Sequence, residues 1–223
     1  MKRGVAVIFF FLIFISFASA HQPRIVYQEN LTANAKLIQA PEISQAFYAE
    51  LKGTPEYYRI VSGENFNFFI QITLPYVETS NKNFTFEIFK GNELIAVLNG
   101  TNFNWTTFHE EFANDDYWQG PSLELNETAG EYLIKVSNPN TENNGKYVLV
   151  VGKIESFPLT EVFSAVYQIP QLKIYFNKNP LFAYLTLVSL FSFWPILIFL
   201  IFIILATKSI IKHLKKKYSR KSK

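Results

Sequence analysis

Between residues 42 and 152, apolar and polar positions alternate with a period of two. Phe66, Phe68, Ile70, Ile72 and Leu74 are interleaved with Asn67, Gln71 and Thr73, and Phe84, Phe86 and Ile88 with Thr85 and Glu87. Tyr132, Ile134 and Val136, then Tyr147, Leu149 and Val151, repeat the scheme. Successive strand side chains point to opposite faces, so each run predicts a strand with one face on a core and one toward water. Turn chemistry separates the runs: Lys52-Gly53-Thr54-Pro55, Ser62-Gly63-Glu64-Asn65, Lys90-Gly91-Asn92, Ala129-Gly130 and Asn143-Asn144-Gly145. Strands are expected near 44–51, 56–61, 66–74, 84–89, 93–98, 132–137 and 146–151. Seven or eight such strands pack most simply as an all-β unit, an antiparallel, jelly-roll-like β-sandwich over 42–155.

The period changes after residue 155. In 156–180, Thr160 can cap a helix whose Val162, Phe163, Val166, Tyr167 and Ile169 share one face before Pro170 interrupts it. This predicts a juxtamembrane amphipathic helix lying on lipid headgroups, the alternative being that it packs on the sandwich. Residues 181–206 hold no charged side chain, and at 1.5 Å per residue they exceed a bilayer core of roughly 30 Å. They are expected to form a C-terminal transmembrane helix, with Trp194 near mid-span, Tyr184 near its outer end and Pro195 tolerated inside. At the other terminus, Lys2 and Arg3 precede an apolar run that ends in Ala18-Ser19-Ala20. That is the pattern of a cleaved signal peptide over 1–20. Residues 21–41 then read as an extended N-terminal segment and 207–223 as a basic tail.

Charge orients this plan. Lys208, Lys212, Lys215, Lys216, Lys217, Arg220, Lys221 and Lys223 follow the span with no acid among them. All 18 acidic residues fall between Glu29 and Glu161, beside eleven basic residues in 21–180, a net charge of −7 there. Basic residues stay inside, so the N-terminal domain is expected outside a cell membrane crossed once, with the tail in the cytoplasm against anionic headgroups. The overall charge of +3 therefore gives no reason to expect a nucleic-acid partner. There is no cysteine, which excludes disulfide scaffolds, thiolate metal sites and cysteine nucleophiles. A bacterial or archaeal surface protein fits this usage.

Three stretches, "EYYRIVSGENFNFFIQITL", "FTFEIFKGNELIAVL" and "TAGEYLIKVSNPNTENNGKYVLVVG", carry a family likeness. In order and spacing they resemble the pre-peptidase C-terminal type of β-sandwich, over about half the chain. The resemblance implies a jelly-roll-like accessory module and no catalytic residue. Two departures stand out: Asn83-Phe84-Thr85-Phe86 replaces an Asp-rich strand, and no protease domain precedes the module.

Candidate chemistry concentrates in "NWTTFHEEFANDDYWQG", residues 104–120. Trp105, Glu110, Glu111, Asp115, Asp116, Tyr117 and Trp118 offer carboxylates among flat rings, a composition suited to a glycan, a protein partner or a hard cation. The bland alternative is a long inter-strand connection with tucked aromatics and solvated acids. Asn30, Asn83, Asn99, Asn104 and Asn126 begin Asn-x-Ser/Thr sequons and are candidate glycosylation acceptors. No G-x-S-x-G, H-E-x-x-H or phosphate loop occurs, so a non-catalytic binding or structural role at the envelope is expected, with no cofactor. The alternative is copper handling. Cleavage after Ala20 would expose His21 with a free amine beside its imidazole, and a brace of nitrogen ligands suits Cu(II). His109 would have to supply the second imidazole, so the two rings must meet in the fold.

Overall fold

The computed structural model describes residues 21–27, 31–78, 80–110, 113–156, 158–186, 189–190 and 193–221. The signal-like segment, Asn30 and Glu111 lie outside them.

Eleven strands are described, in two sheets. They are β1 (Gln22–Ile25), β2 (Lys36–Ile38), β3 (Gln45–Lys52), β4 (Glu56–Ser62), β5 (Phe66–Pro75), β6 (Thr85–Lys90), β7 (Glu93–Asn99), β8 (Thr106–Glu110), β9 (Asp115–Glu127), β10 (Gly130–Ser137) and β11 (Asn144–Val151). One sheet has the order β1-β3-β11-β5-β9-β8, the other β2-β4-β10-β6-β7. All seven expected strands are present within two residues of their expected ends. Pairing is antiparallel except at one edge of each sheet, where β1 joins β3 and β2 joins β4 in parallel. Within the extended N-terminal segment, Gln22–Ile25 and Lys36–Ile38 close those edges.

The alternating positions face each other across the sandwich. Phe68, Ile70, Ile72 and Leu74 of β5 meet Tyr58, Ile60, Phe86, Ile88, Tyr132 and Ile134, all fully buried. Rings interlock edge-on, as Phe66 does with Tyr132 at 5.4 Å and Phe47 with Tyr58 at 5.5 Å. Each such side chain contributes about 1.5–3 kcal/mol by leaving water. Polar groups at the core pair with one another: Tyr147 Oη donates to Glu56 Oε2 at 2.5 Å and also meets Tyr58 Oη at 2.7 Å.

Two helices follow. Helix α1 (Leu159–Tyr175) runs through Pro170 rather than stopping there. It packs on the outer face of the six-stranded sheet. Ala165, Ile169 and Leu172, with Phe176 one turn on, lie buried against Ala46, Tyr48, Tyr117, Val148 and Val150. The expected single apolar face is divided: Ile169 points inward, whereas Phe163 and Tyr167 are exposed. Pro180–Leu185 forms a 3-10 turn against α1, with Asn179 Oδ1 capping the Leu181 N–H at 2.9 Å and Ala183 buried. Helix α2 (Phe193–Lys221) contains the candidate membrane span, Phe193–His213, none of it buried within the protein. The expected span of 181–206 therefore shifts toward the C-terminus, because Leu181–Leu185 belong to the turn packed on α1. Trp194 moves with it, from mid-span to the N-terminal end of that helix, where its Nε1 donates to the Tyr184 carbonyl at 2.9 Å.

Candidate functional site

The stretch 104–120 is no irregular connection. It forms the β8–β9 hairpin at one edge of the six-stranded sheet. Trp105 lies in a slot between two glycines and donates from Nε1 to the Gly100 carbonyl at 2.9 Å. A Cβ on Gly120 would sit 2.5 Å from its ring, and one on Gly100 2.7 Å, so only glycine fits on either side. Trp118 is covered as well, with the Tyr76 ring 4.8 Å away and Lys82 Nζ 3.1 Å from its ring centre. These two flat surfaces are spent within the fold.

The hairpin's described acids have partners too. Asp115 is fully buried, with Lys173 Nζ at 2.8 Å on one oxygen and Lys178 Nζ at 2.9 Å on the other. The Lys173 ammonium, equally buried, also donates to the Ala113 and Asn114 carbonyls, so its three protons all have acceptors. Burial lowers the lysine pKa and Asp115 opposes that shift. This cluster clamps the hairpin tip to the end of α1. Glu110 accepts the Ala113 N–H at 2.7 Å, and Asp116 accepts from His109 Nδ1 at 2.7 Å on the exposed side. Three of the sequon asparagines, Asn99, Asn104 and Asn126, are exposed and Asn83 is half-buried.

What the sheet and α1 enclose together is a recess of about 400 Å³. It arises from side-chain size. Under the last turns of α1, Tyr48, Tyr117, Tyr175 and Phe176 fill the gap, their rings in edge contact at 5.0–6.4 Å. Under the first turns stand Ala46, Val150 and Ala165, too small to reach across. The sheet side mixes apolar residues with Gln71, Thr73 and Gln119; Ser44 and His21 stand at one end, Glu110 at the other, and Lys153 and Glu155 also line it. Tyr48 and Tyr117 share a hydroxyl–hydroxyl bond of 2.8 Å, and burial pushes both phenol pKa values up, so both stay neutral.

The histidines do not meet. His21 stands at the start of β1 and His109 on β8, the two opposite edges of one sheet with four strands between them. At about 4.8 Å per strand they are about 24 Å apart along the sheet. Phe108 and Glu110 line the recess, so the alternation sends His109 to the other face. The expected two-histidine brace is not assembled. Nor does any group of three or more His, Cys, Asp or Glu suited to a metal occur among the described residues. His21 Nδ1 instead bonds Ser44 Oγ. Burial lowers its pKa, against the opposing charge of Glu155, leaving a neutral imidazole at neutral pH.

Sequence reasoning found Glu110, Tyr117 and His21 but not the recess that joins them. The signal was the unbroken run Tyr147-Val148-Leu149-Val150-Val151. A strand apolar on both faces is covered on both.

No protein-family model matches the chain, and no curated protein matches it in sequence. Among solved structures it is similar to the pre-peptidase C-terminal domain of a Bacillus anthracis collagenase, at 14% identity and a TM-score of 0.34, over 57% of this chain and 98% of that one. It is also similar to a β-glucosidase of Kluyveromyces marxianus (14%, TM-score 0.28, 59% of this chain and 14% of that one) and one of Paenibacillus barengoltzii (15%, 0.27, 59% and 13%). The class is defined by the strand order: a two-sheet sandwich carrying an outer helix and, among the described residues, one candidate membrane span.

Proposed function

We propose that this protein is a single-pass, membrane-tethered binding module without catalytic activity. The sandwich stands outside the cell membrane, the basic tail inside, and the ligand enters the recess beneath α1. The recess itself supports this reading: apolar side chains of the sheet and α1 interspersed with the hydroxyl and amide groups of Ser44, Gln71, Thr73 and Gln119, with Glu110, Lys153 and Glu155 also in its lining. Sites of this make-up take small molecules whose apolar body is held by area and whose polar groups fix orientation. The absence of catalysis is supported by the state of the acids nearby, since Asp115 is neutralised by two lysines and Glu110 holds a backbone N–H.

The test is thermal unfolding of the detergent-solubilised full chain with a panel of simple sugars and short-chain amphiphiles. Ala46→Leu, which extends into the recess, serves as the comparison. A compound that stabilises the native chain and not the variant supports the assignment. Equal stabilisation of both, or none by any compound, overturns it. Protease added to intact cells should remove the sandwich and spare the tail, and the reverse pattern would refute the orientation.

A further inference from the structure

Helix α1 carries its charges on the wrong side for a helix that faces water. Glu161 and Lys173 are the only charged residues between 158 and 176, and both are neutralised on the sheet side. Glu161 takes two bonds from Arg24 of β1, at 2.8 and 2.9 Å, and Lys173 lies buried on Asp115. The outer face is uncharged, and apolar side chains form a stripe along it beside Thr160 and Gln171. Phe163, Tyr167 and Ile174, spaced four and seven apart on one stripe, are 60%, 72% and 60% exposed. The buried stripe, Ala165, Ile169, Leu172 and Phe176, runs along the opposite side of the same helix. Surface helices of soluble domains bury the apolar stripe and expose charge. This helix has two apolar stripes and exposes the one with the larger side chains.

The exposed stripe leads toward the candidate span. The 3-10 turn Pro180–Leu185 packs on α1 and leaves Leu181, Phe182 and Leu185 at 65%, 52% and 76% exposure. That turn is joined in turn to the first residues of α2. Trp194 bonds the Tyr184 carbonyl, and the Tyr184 and Phe193 rings lie 4.6 Å apart. Trp and Tyr favour the membrane–water interface, which places this joint at headgroup depth. On the membrane reading of α2, the exposed leucines and phenylalanine of the turn adjoin the apolar phase that α2 crosses, and the turn itself packs on α1.

We propose that α1 is a saddle, its inner stripe carrying the six-stranded sheet and its outer stripe resting in the bilayer surface. The proposal rests on the membrane reading of α2 and goes beyond it. The sandwich is seated flush on the lipid, and the recess, between sheet and saddle, opens beside the headgroups rather than far above them. Lipid is favoured over a second copy of the chain because the turn packed on α1 is joined to the candidate span and because Phe163, Tyr167 and Ile174 themselves carry no charge.

The chain contains no cysteine, so single cysteines can be labelled without background. An environment-sensitive fluorophore is attached to the full chain at Tyr167→Cys, Ile174→Cys or Leu185→Cys and the protein is reconstituted in phosphatidylcholine vesicles. Two further positions calibrate it: Phe202→Cys within the span, and Val97→Cys on exposed β7 of the far sheet. Brominated lipid should cut emission about twofold at Tyr167, Ile174 and Leu185, as expected for groups some 5–10 Å into the boundary, and leave Val97 unchanged. Quenching at Phe202 with Tyr167 and Ile174 behaving like Val97 overturns the saddle while leaving the span intact. No quenching at Phe202 overturns both. Protection at Tyr167 from lipid and aqueous quenchers alike, growing with protein density, assigns the stripe to a second copy and also overturns it.

Discussion

The two faces of the six-stranded sheet are made from the same strands and built to different standards. The inner face is packed with Phe68, Ile70, Ile72, Tyr147, Leu149 and Val151, each fully buried, and its polar atoms pair among themselves. The outer face, beneath α1, has alanines and valines, a buried ion cluster and a recess of about 400 Å³. A close-packed interior tolerates no gaps without loss of stability, so the inner face accounts for the fold. The outer face holds a space that packing would have removed. The comparison separates what stabilises this domain from what is available for recognition.

The largest expected effect lies on the inner face. Ile70→Asp places an unpaired charge at the centre of the sandwich and should abolish folding, read as loss of the β-type circular dichroism and of cooperative unfolding. Phe68→Ala should keep the fold at a cost of about 3–5 kcal/mol in denaturant titrations.

On the outer face the ion cluster should rank next. Asp115→Ala strands the Lys173 ammonium away from water and should cost about 3–5 kcal/mol. Lys173→Met together with Asp115→Leu should recover much of that, since an apolar pair needs no compensation. If the single variant were as stable as the parent, the clamp would have no structural role. The recess itself should respond weakly. Ala46→Leu fills space that is already empty and should shift stability by less than about 1.5 kcal/mol, whereas a comparable enlargement within the inner core would strain it.

A smaller effect concerns pH. Burial holds the His21 pKa below its ordinary 6.5, so the folded state disfavours the proton that the unfolded state accepts. The stability this neutral imidazole contributes is complete above pH 6.5 and is lost as pH falls through the lower folded value. His21→Asn should flatten that acid limb in pH-dependent unfolding curves, and an unchanged slope would show that the His21–Ser44 contact does not couple to folding. The smallest effect belongs to the exposed Arg59–Glu131 pair at 3.5 Å: Arg59→Ala should change stability by less than about 1 kcal/mol.

Periodicity alone determined most of the inner face. A strand's alternation is a local property, and one with polar and apolar sides has one way to face a core, so seven strands and their inward residues were legible before any contact was known. The apolar C-terminal run was legible as a candidate span for the same reason, since length and composition are local properties, although Leu181–Leu185 belong to the turn that packs on α1. Tertiary structure decided the rest. β1 and β2 are short edge strands that gain their partners from distant residues, so no local signal announces them. The same holds for the candidate site. His21 and His109 look like a pair in a chain with few histidines, and only the strand order puts them on opposite edges. Asp115 and Lys173 are 58 residues apart, and nothing in either segment names the other. The recess is a gap left where small side chains of a sheet meet small side chains of a helix, and a gap between elements has no sequence of its own.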